Sequence, residues 1–337
     1  MTGQAPPTPT TPVPDIVRAA WVDLVVTDLD RARAFWIDLI GFHETAADAD
    51  TLWLRGTADS VHHSLILRRG TTPACRAIGL RVRSDADLDA VRAFHEARGC
   101  RVDEIPAGHQ RGVGRMMRVD DPFGFTVEYV HHMDHAERLL MRWDLHHGAE
   151  VARLDHINLS VPDVAAAHAH YTALGFGTSE TIEGPDHLYA AWMYRKPSVH
   201  DIALTEGNGP RLHHVGYAVP ESSNILRLAD IVAARDEPWL ERGPGRHGVS
   251  AAFYLYLRDP DGHRVEVYTT DYFTGDPDHP TLRWSIDDPR RRDFWGGAVV
   301  PSWYTEAMEI LDLDGRVRPT ADPAAPGEVV VGADGLG

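Results

Sequence analysis

The chain has 337 residues, 43% hydrophobic and 25% charged, with 33 basic against 50 acidic side chains and a formal net charge of −17. That length favours two domains with filled cores, and the acidic balance excludes a nucleic-acid groove or attachment to an anionic membrane surface; a small anionic substrate met by a few local arginines stays compatible. Cys75 and Cys100 are too few for a disulfide framework or a zinc cluster and fit a reducing cytoplasm, and neither an apolar run of roughly 20 residues nor a signal peptide is present.

Residues 1–15 contain the Pro/Thr run QAPPTPTTPVP and are expected to form an extended arm. From residue 17, VRAAWVDLVVTDLDRARAFWIDLIGFHE predicts strand, helix, strand. Asp28 is placed to cap the helix, Ala32, Phe35, Trp36 and Leu39 form its apolar stripe, and Gly41 ends it. From residue 153, RLDHINLSVPDVAAAHAHYTALGFGTSE repeats the plan in a helix one residue shorter. Asp163 caps, Tyr171 and Leu174 lie on the stripe, and Gly175-Phe176 matches Gly41-Phe42. Downstream, Asp121-Pro122-Phe123-Gly124 and Asp259-Pro260-Asp261-Gly262 each precede a glutamate, Glu128 and Glu266, at the same spacing, offset by about 138 residues. The chain is a tandem duplication.

Within each half a second unit begins, near Ala77 and near His214, and runs strand, helix (85–98 and 224–234), closing hairpin. Four such units predict an α+β fold of tandem ββαβββ-type modules, each burying its apolar face against a neighbour. They divide into domains at 16–132 and 153–275, joined by a predicted linker helix at 133–152 and followed by a lid and tail over 276–337. His131 and His135 share a face of that helical region, with no third metal ligand beside them.

The hairpin YLYLRDPDGHRVEVY (254–268) carries a misplaced charge. Val265 and Val267 face one way, while Glu266 faces the other with Arg264 and Tyr268, and a carboxylate buried there requires a partner. Alignment of the halves sets His156 against Trp21, His214 against Ala77 and Glu266 against Glu128. Only the second half therefore has two histidines and a carboxylate. Such a trio leaves one face of an octahedral ion open and suits Fe(II), while imidazole and carboxylate also suit Mn(II). In Arg211-Leu212-His213-His214-Val215 either histidine can point inward. The Gly-rich run 242–248 lacks the GK[ST] of a phosphate loop and fits a substrate loop better.

The sequence resembles the type I extradiol ring-cleaving dioxygenases of the vicinal oxygen chelate superfamily over nearly its whole length. The resemblance is carried by LDHIN (154–158), YAAWMYRK (189–196), VHDIALTEGNGPRLHHV (199–215), ERGPGRHGVSAAFYLYLRDPDGHRVEVYTTDY (241–272) and RRDFWGGAVVPSWYTEA (291–307). It implies that His156, His214 and Glu266 hold Fe(II), or Mn(II) in some members, and that the first half has lost its site. It also implies an acid–base role for His200, with Tyr256 near the substrate oxygen, His247 beside the deprotonated catechol oxygen and Asn158 in the pocket. From the residues alone His200 also fits a structural histidine, because His63 holds the corresponding place in the silent half. Arg242, Arg292, Trp192 and Trp303 match the family's set for a substrate carboxylate, where a guanidinium binds two oxygens at once.

The implied reaction is extradiol cleavage of a catechol by dioxygen to a muconic semialdehyde. Its implied form takes 3,4-dihydroxyphenylacetate to 5-carboxymethyl-2-hydroxymuconate semialdehyde, in the cytoplasm, by a homo-oligomer that in this family is commonly a tetramer. Protocatechuate, a secondary-metabolite catechol, or a non-catalytic binding role within the superfamily are the alternatives.

Overall fold

The computed structural model describes residues 12–269, 271–297 and 299–323. Most of the expected arm and the end of the tail lie outside the described residues. The first half consists of two βαβββ units. One comprises β1 (Ile16–Val26), α1 (Leu29–Arg33), β2 (His43–Ala47), β3 (Thr51–Arg55) and β4 (Leu65–Arg69). The other comprises β5 (Ala74–Val82), α2 (Ala86–Glu96), β6 (Val102–Ile105), β7 (Met116–Asp120) and β8 (Thr126–Val130). They share one sheet of order β2-β3-β4-β1-β5-β8-β7-β6, joined at the antiparallel β1–β5 pair.

The second half repeats this with β9 (Arg153–Val161), α3 (Val164–Ala173), β10 (Gly177–Glu183), β11 (Leu188–Tyr194) and β12 (Ile202–Glu206), followed by β13 (Arg211–Ala218), α4 (Ser222–Ala233), β14 (Leu240–Arg246), β15 (Phe253–Arg258) and β16 (Arg264–Thr269). Its sheet is joined at β9–β13, and β17 (Leu282–Ser285) adds to the free edge of β10. The α+β class and the fourfold unit read from the sequence are both present.

The one-residue difference between the first helices has a structural outcome. In the longer copy α1 continues as a π-helix over Ala34–Leu39, in which the Ile40 N–H reaches back five residues to the Phe35 carbonyl at 3.0 Å. An extra residue in an α-helix is absorbed as such a wide turn. Both caps form as predicted: Asp28 accepts from Asp30 N and Arg31 N, and Asp163 accepts from Ala166 N.

The segment 133–152 departs from expectation. Instead of a linker helix it holds one 3-10 turn, Trp143–Leu145, between irregular stretches. Its backbone groups are taken by the 56–62 loop: Ala136 N donates to Ser60 O, Leu139 N to Thr57 O, and Asp134 O accepts from His62 N. A helix would require those same groups for itself. His131 and His135 accordingly share no helix face.

The halves meet through the duplicated turns. Asp121 Oδ1 accepts from Phe123 N and Phe125 N of its own turn, while its Oδ2 accepts from Tyr171 of α3 at 3.1 Å. Asp259 does the reciprocal: Oδ1 accepts from Asp261 N and His263 N, and Oδ2 accepts from Trp36 Nε1 at 3.1 Å. Around them one apolar core runs through both halves, with Phe42 edge-on to Tyr217 at 4.7 Å.

Burial outweighs these donors at Asp121 and pushes its carboxyl up from 3.8 to about 6. A raised value means that the folded state binds the proton more tightly. The associated stability is full below 3.8 and is lost as pH rises through about 6. Asp121→Asn imitates the protonated form, so its stability relative to wild type should shift in favour of Asn by about 1–3 kcal/mol between pH 4 and pH 8 in urea titrations. A pH-independent difference would place Asp121 in its ordinary range.

Candidate metal centre

β13 lies between β9 and β16, and Gly216 on it is paired with His156 on one side and Glu266 on the other. A Cβ at Gly216 would lie 2.2 Å from the His156 ring, so only glycine lets that imidazole cross the strand. A bulge falls at His213: Leu212 pairs with Leu159 and His214 with Asn158, which leaves His213 as the extra residue. That bulge resolves which histidine joins the site. His214 Nε2 stands 3.3 Å from Glu266 Oε2, whereas His213 sits behind it with the two Nδ1 atoms 2.7 Å apart.

His156 Nε2 lies 2.9 Å from Glu266 Oε2 and 3.2 Å from His214 Nε2. All three side chains are buried. The outer hydrogen bonds fix the ring tautomers. His156 Nδ1 donates to Asp155 Oδ2 at 3.1 Å, which turns Nε2 inward. His213 Nε2 donates to the Trp303 carbonyl at 2.9 Å, so its Nδ1 accepts from His214 Nδ1 and the His214 Nε2 lone pair also turns inward. Two imidazole lone pairs and a carboxylate oxygen then converge within hydrogen-bond range. Only a proton or a cation can sit among them, and the nitrogen and oxygen set fits Fe(II) or Mn(II).

A proton is the alternative occupant of that place. Burial pushes Glu266 up, but a proton shared with it by His156, with His214 alongside, outweighs burial and holds the carboxyl well below its usual range. Burial pushes His156 down, yet Asp155 and Glu266 lift it to about 9, while burial takes His214 down to about 4.

The first half is a control within the same chain. Trp21 crosses Gly79 as His156 crosses Gly216, and its Nε1 donates to Glu128 Oε2 at 3.2 Å. The charge of Glu128 is met by Arg118 at 2.6 Å, with Arg76 at 3.7 Å. Arg118 stands opposite Glu128 in the β7–β8 register, where Tyr256 stands opposite Glu266. The same buried carboxylate thus has a guanidinium in one half and two imidazoles in the other.

The remaining predicted residues surround a cavity of about 610 Å³ lined by His156, Asn158, Trp192, His200, His214, Arg242, His247, Tyr256, Glu266, Arg292 and Trp303. The His200 ring lies against His156, 4.0 Å between centroids and tilted by 32°, and its buried Nδ1 has no hydrogen-bond partner among the described residues. Burial, then the charge on His156, pushes His200 well below its ordinary value. His247 Nδ1 donates to the Arg292 carbonyl at 2.6 Å, so its Nε2 accepts from the Tyr256 hydroxyl at 2.9 Å. Burial, then Arg242, pushes His247 down to about 4. Asn158 Oδ1 accepts from Thr205 at 2.9 Å.

Arg242 pairs with Asp293 and lies 4.4 Å over the Trp303 ring, leaving its Nε and Nη1 without partners. Arg292 donates to the Tyr304 hydroxyl. The C-terminal stretch, expected as a lid and tail over 276–337, supplies Arg291, Arg292, Trp303, Tyr304 and Thr305 among others to the cavity wall. Sequence reasoning missed Asp155 and the supporting role of His213; the only signals were the adjacent pairs Asp155-His156 and His213-His214.

The sequence profile of the Glyoxalase/Bleomycin resistance protein/Dioxygenase superfamily matches residues 18–129 and again 153–267. The solved structure of homoprotocatechuate 2,3-dioxygenase from Brevibacterium fuscum, in complex with 3,4-dihydroxyphenylacetate, superposes with a TM-score of 0.91 at 48% identity, covering 94% of this chain and 99% of that one. The enzyme of the same name from Arthrobacter globiformis gives 0.90 at 51% identity, over 93% and 98% of the two chains. A manganese-dependent 2,3-dihydroxybiphenyl 1,2-dioxygenase of Geobacillus genomosp. 3 is 29% identical over 297 residues, 84% of this chain and 94% of its own length. Matched in both halves by one profile, the chain belongs to the Glyoxalase/Bleomycin resistance protein/Dioxygenase superfamily.

Proposed function

We propose that this protein is an extradiol dioxygenase that opens a catechol ring beside one of its hydroxyls, with Fe(II) or Mn(II) held by His156, His214 and Glu266. The observation that carries this is the convergence of two inward-facing imidazole lone pairs on a carboxylate whose counterpart, Glu128, is neutralised by arginine. The relatives that span most of the chain are extradiol enzymes, which supports the same reading. When bound, the divalent ion supplies Lewis acidity and an electron path between an electron-rich catechol and dioxygen.

The protein's own groups do the rest. His200 lines the cavity and stays neutral near pH 7, because burial opposes its charged form, and it is assigned to take a proton from the substrate side and return it to the product. The Tyr256 hydroxyl, held by His247 on the cavity wall, is assigned to the substrate oxygens, with Asn158 and Trp192 shaping the wall. Both oxygen atoms enter the product, so no external reductant is consumed.

Arg242 and Arg292 are assigned to a carboxylate on the substrate, since both line the cavity and Arg242, paired with Asp293 through one nitrogen, keeps Nε and Nη1 without a partner among the described residues. That favours 3,4-dihydroxyphenylacetate, opened to 5-carboxymethyl-2-hydroxymuconate semialdehyde, over a neutral catechol. Residues 16–132 are proposed as a supporting domain and 153–275 as the catalytic one. The exposed apolar run of Leu140, Met141, Trp143 and Leu145 supports self-association, proposed as a homotetramer, which a monomeric mass by light scattering would refute. Placement in the cytoplasm is supported by the two free thiols, Cys75 and Cys100, and is tested by cell fractionation.

Protein loaded with Fe(II) without oxygen, then given 3,4-dihydroxyphenylacetate and oxygen, should form one yellow ring-opened product per oxygen consumed. His214→Ala and Glu266→Gln should each lower bound metal to trace levels and turnover by at least about 1000-fold. Either variant retaining metal and activity would remove that residue from the ligand set. Arg292→Ala should reduce the preference for the acid over catechol itself by about 10–100-fold in kcat/KM, the worth of a charged hydrogen bond. An unchanged preference would remove Arg292 from substrate recognition.

A further inference from the structure

Lys196 is the single lysine among 33 basic residues, and it lies directly behind the metal centre. Its Nζ donates to the Asp155 carbonyl at 2.8 Å and to the His200 carbonyl, and stands 3.6 Å from Asp155 Oδ1 and 3.6 Å from Asp201 Oδ1. The side chain is only 15% exposed. Asp155 in turn holds His156 Nδ1 through its other oxygen, and His200 is the residue whose ring lies against His156. One ammonium therefore ties together the backbone carbonyls of the residue that orients a metal ligand and of the acid–base histidine, and lies beside the Asp155 carboxylate, whose Oδ1 also accepts from Arg153.

The geometry points to Lys196 as a positioning residue for the centre, acting through Asp155 and His200. This rests on the reading that His156, His214 and Glu266 hold a metal. Two carbonyls accept from one nitrogen and two carboxylates stand around it at 3.6 Å, and an ammonium offers three donors from a single point. A guanidinium is a planar fork and serves two parallel acceptors instead.

The silent half supports the assignment. Four residues before His63, as Lys196 is four before His200, stands Asp59; Ser64 follows His63 as Asp201 follows His200. Asp59 Oδ2 accepts from Ser64 at 2.8 Å and from Gly56 N at 3.0 Å, so the loop is still closed. Ala20 precedes Trp21 where Asp155 precedes His156. Closing the loop needs no lysine. The ammonium and its carboxylate occur together only where a histidine must be aimed.

Mn(II) titrated into the full-length metal-free protein and followed by the EPR signal of the free ion gives the test, with kcat and KM measured at saturating Mn(II). Lys196→Arg and Lys196→Met should each weaken Mn(II) binding at least about tenfold and lower kcat at least about tenfold, with KM for 3,4-dihydroxyphenylacetate within twofold of wild type. Asp59→Asn, the equivalent change in the silent half, should leave Mn(II) affinity and kcat unmoved. If Lys196→Met does not fold, Lys196→Arg and Lys196→Gln decide. Wild-type affinity and kcat in Lys196→Arg would overturn the inference, as would Lys196 variants that merely melt earlier, in the manner of Asp59→Asn. A wild-type protein that binds no Mn(II) would instead overturn the metal reading and this inference with it.

Discussion

A carboxylate placed on the inner face of a fully buried strand must find positive charge. Glu128 on β8 and Glu266 on β16 present that demand at equivalent places in the two sheets, each beside a glycine of the neighbouring strand. In the first half the demand is met within the protein, by Arg118 and Arg76, with the Trp21 indole as a further donor. Around Glu266 the nearest groups are imidazoles whose outer nitrogens are already committed to Asp155 and His213. Leaving an ionised group buried and unpaired costs far more than any one contact there returns, so Glu266 requires either a proton on His156 or a cation held between the imidazoles.

The silent half is more than a remnant, because it braces the backs of the elements that carry the centre. Ala19 N donates to Asp201, the residue after His200, at 2.8 Å. Tyr217 on β13, three residues past His214, donates to the Ser64 carbonyl at 3.1 Å, and His263 Nε2 in the turn before β16 donates to the Val25 carbonyl at 2.8 Å. The reciprocal pairs Trp36–Asp259 and Tyr171–Asp121 extend this through both duplicated turns. An isolated second half would leave these polar groups and a large share of the common core in water.

Much of this was legible in the sequence because duplication supplies its own comparison. The strand–helix–strand phrases, the D-P-x-G turns and the His/Trp and His/Ala exchanges located the units and the trio without any contact information. Three features were not legible. The choice between His213 and His214 depends on a bulge, and strand alternation alone cannot register one. The 133–152 segment has helix-forming composition, but its backbone groups are claimed by a loop about 75 residues upstream, which local propensity cannot sense. The supporting network of Asp155, His213 and Lys196 consists of ordinary polar residues, distinguished only by which atoms they face.

The supporting network also ties the cavity wall to the chemistry behind it. The carbonyl that fixes the His247 tautomer belongs to Arg292, and the carbonyl that fixes His213, and through it His214, belongs to Trp303. Both lie in the C-terminal stretch whose side chains close the cavity. If that stretch moved away, His213 and His247 would each lose the acceptor that holds a proton on its outer nitrogen. The inward-facing lone pairs would then no longer be specified. The cavity wall and the direction of the ring nitrogens are therefore one arrangement, because the stretch whose side chains line the cavity also supplies the backbone carbonyls that hold those rings.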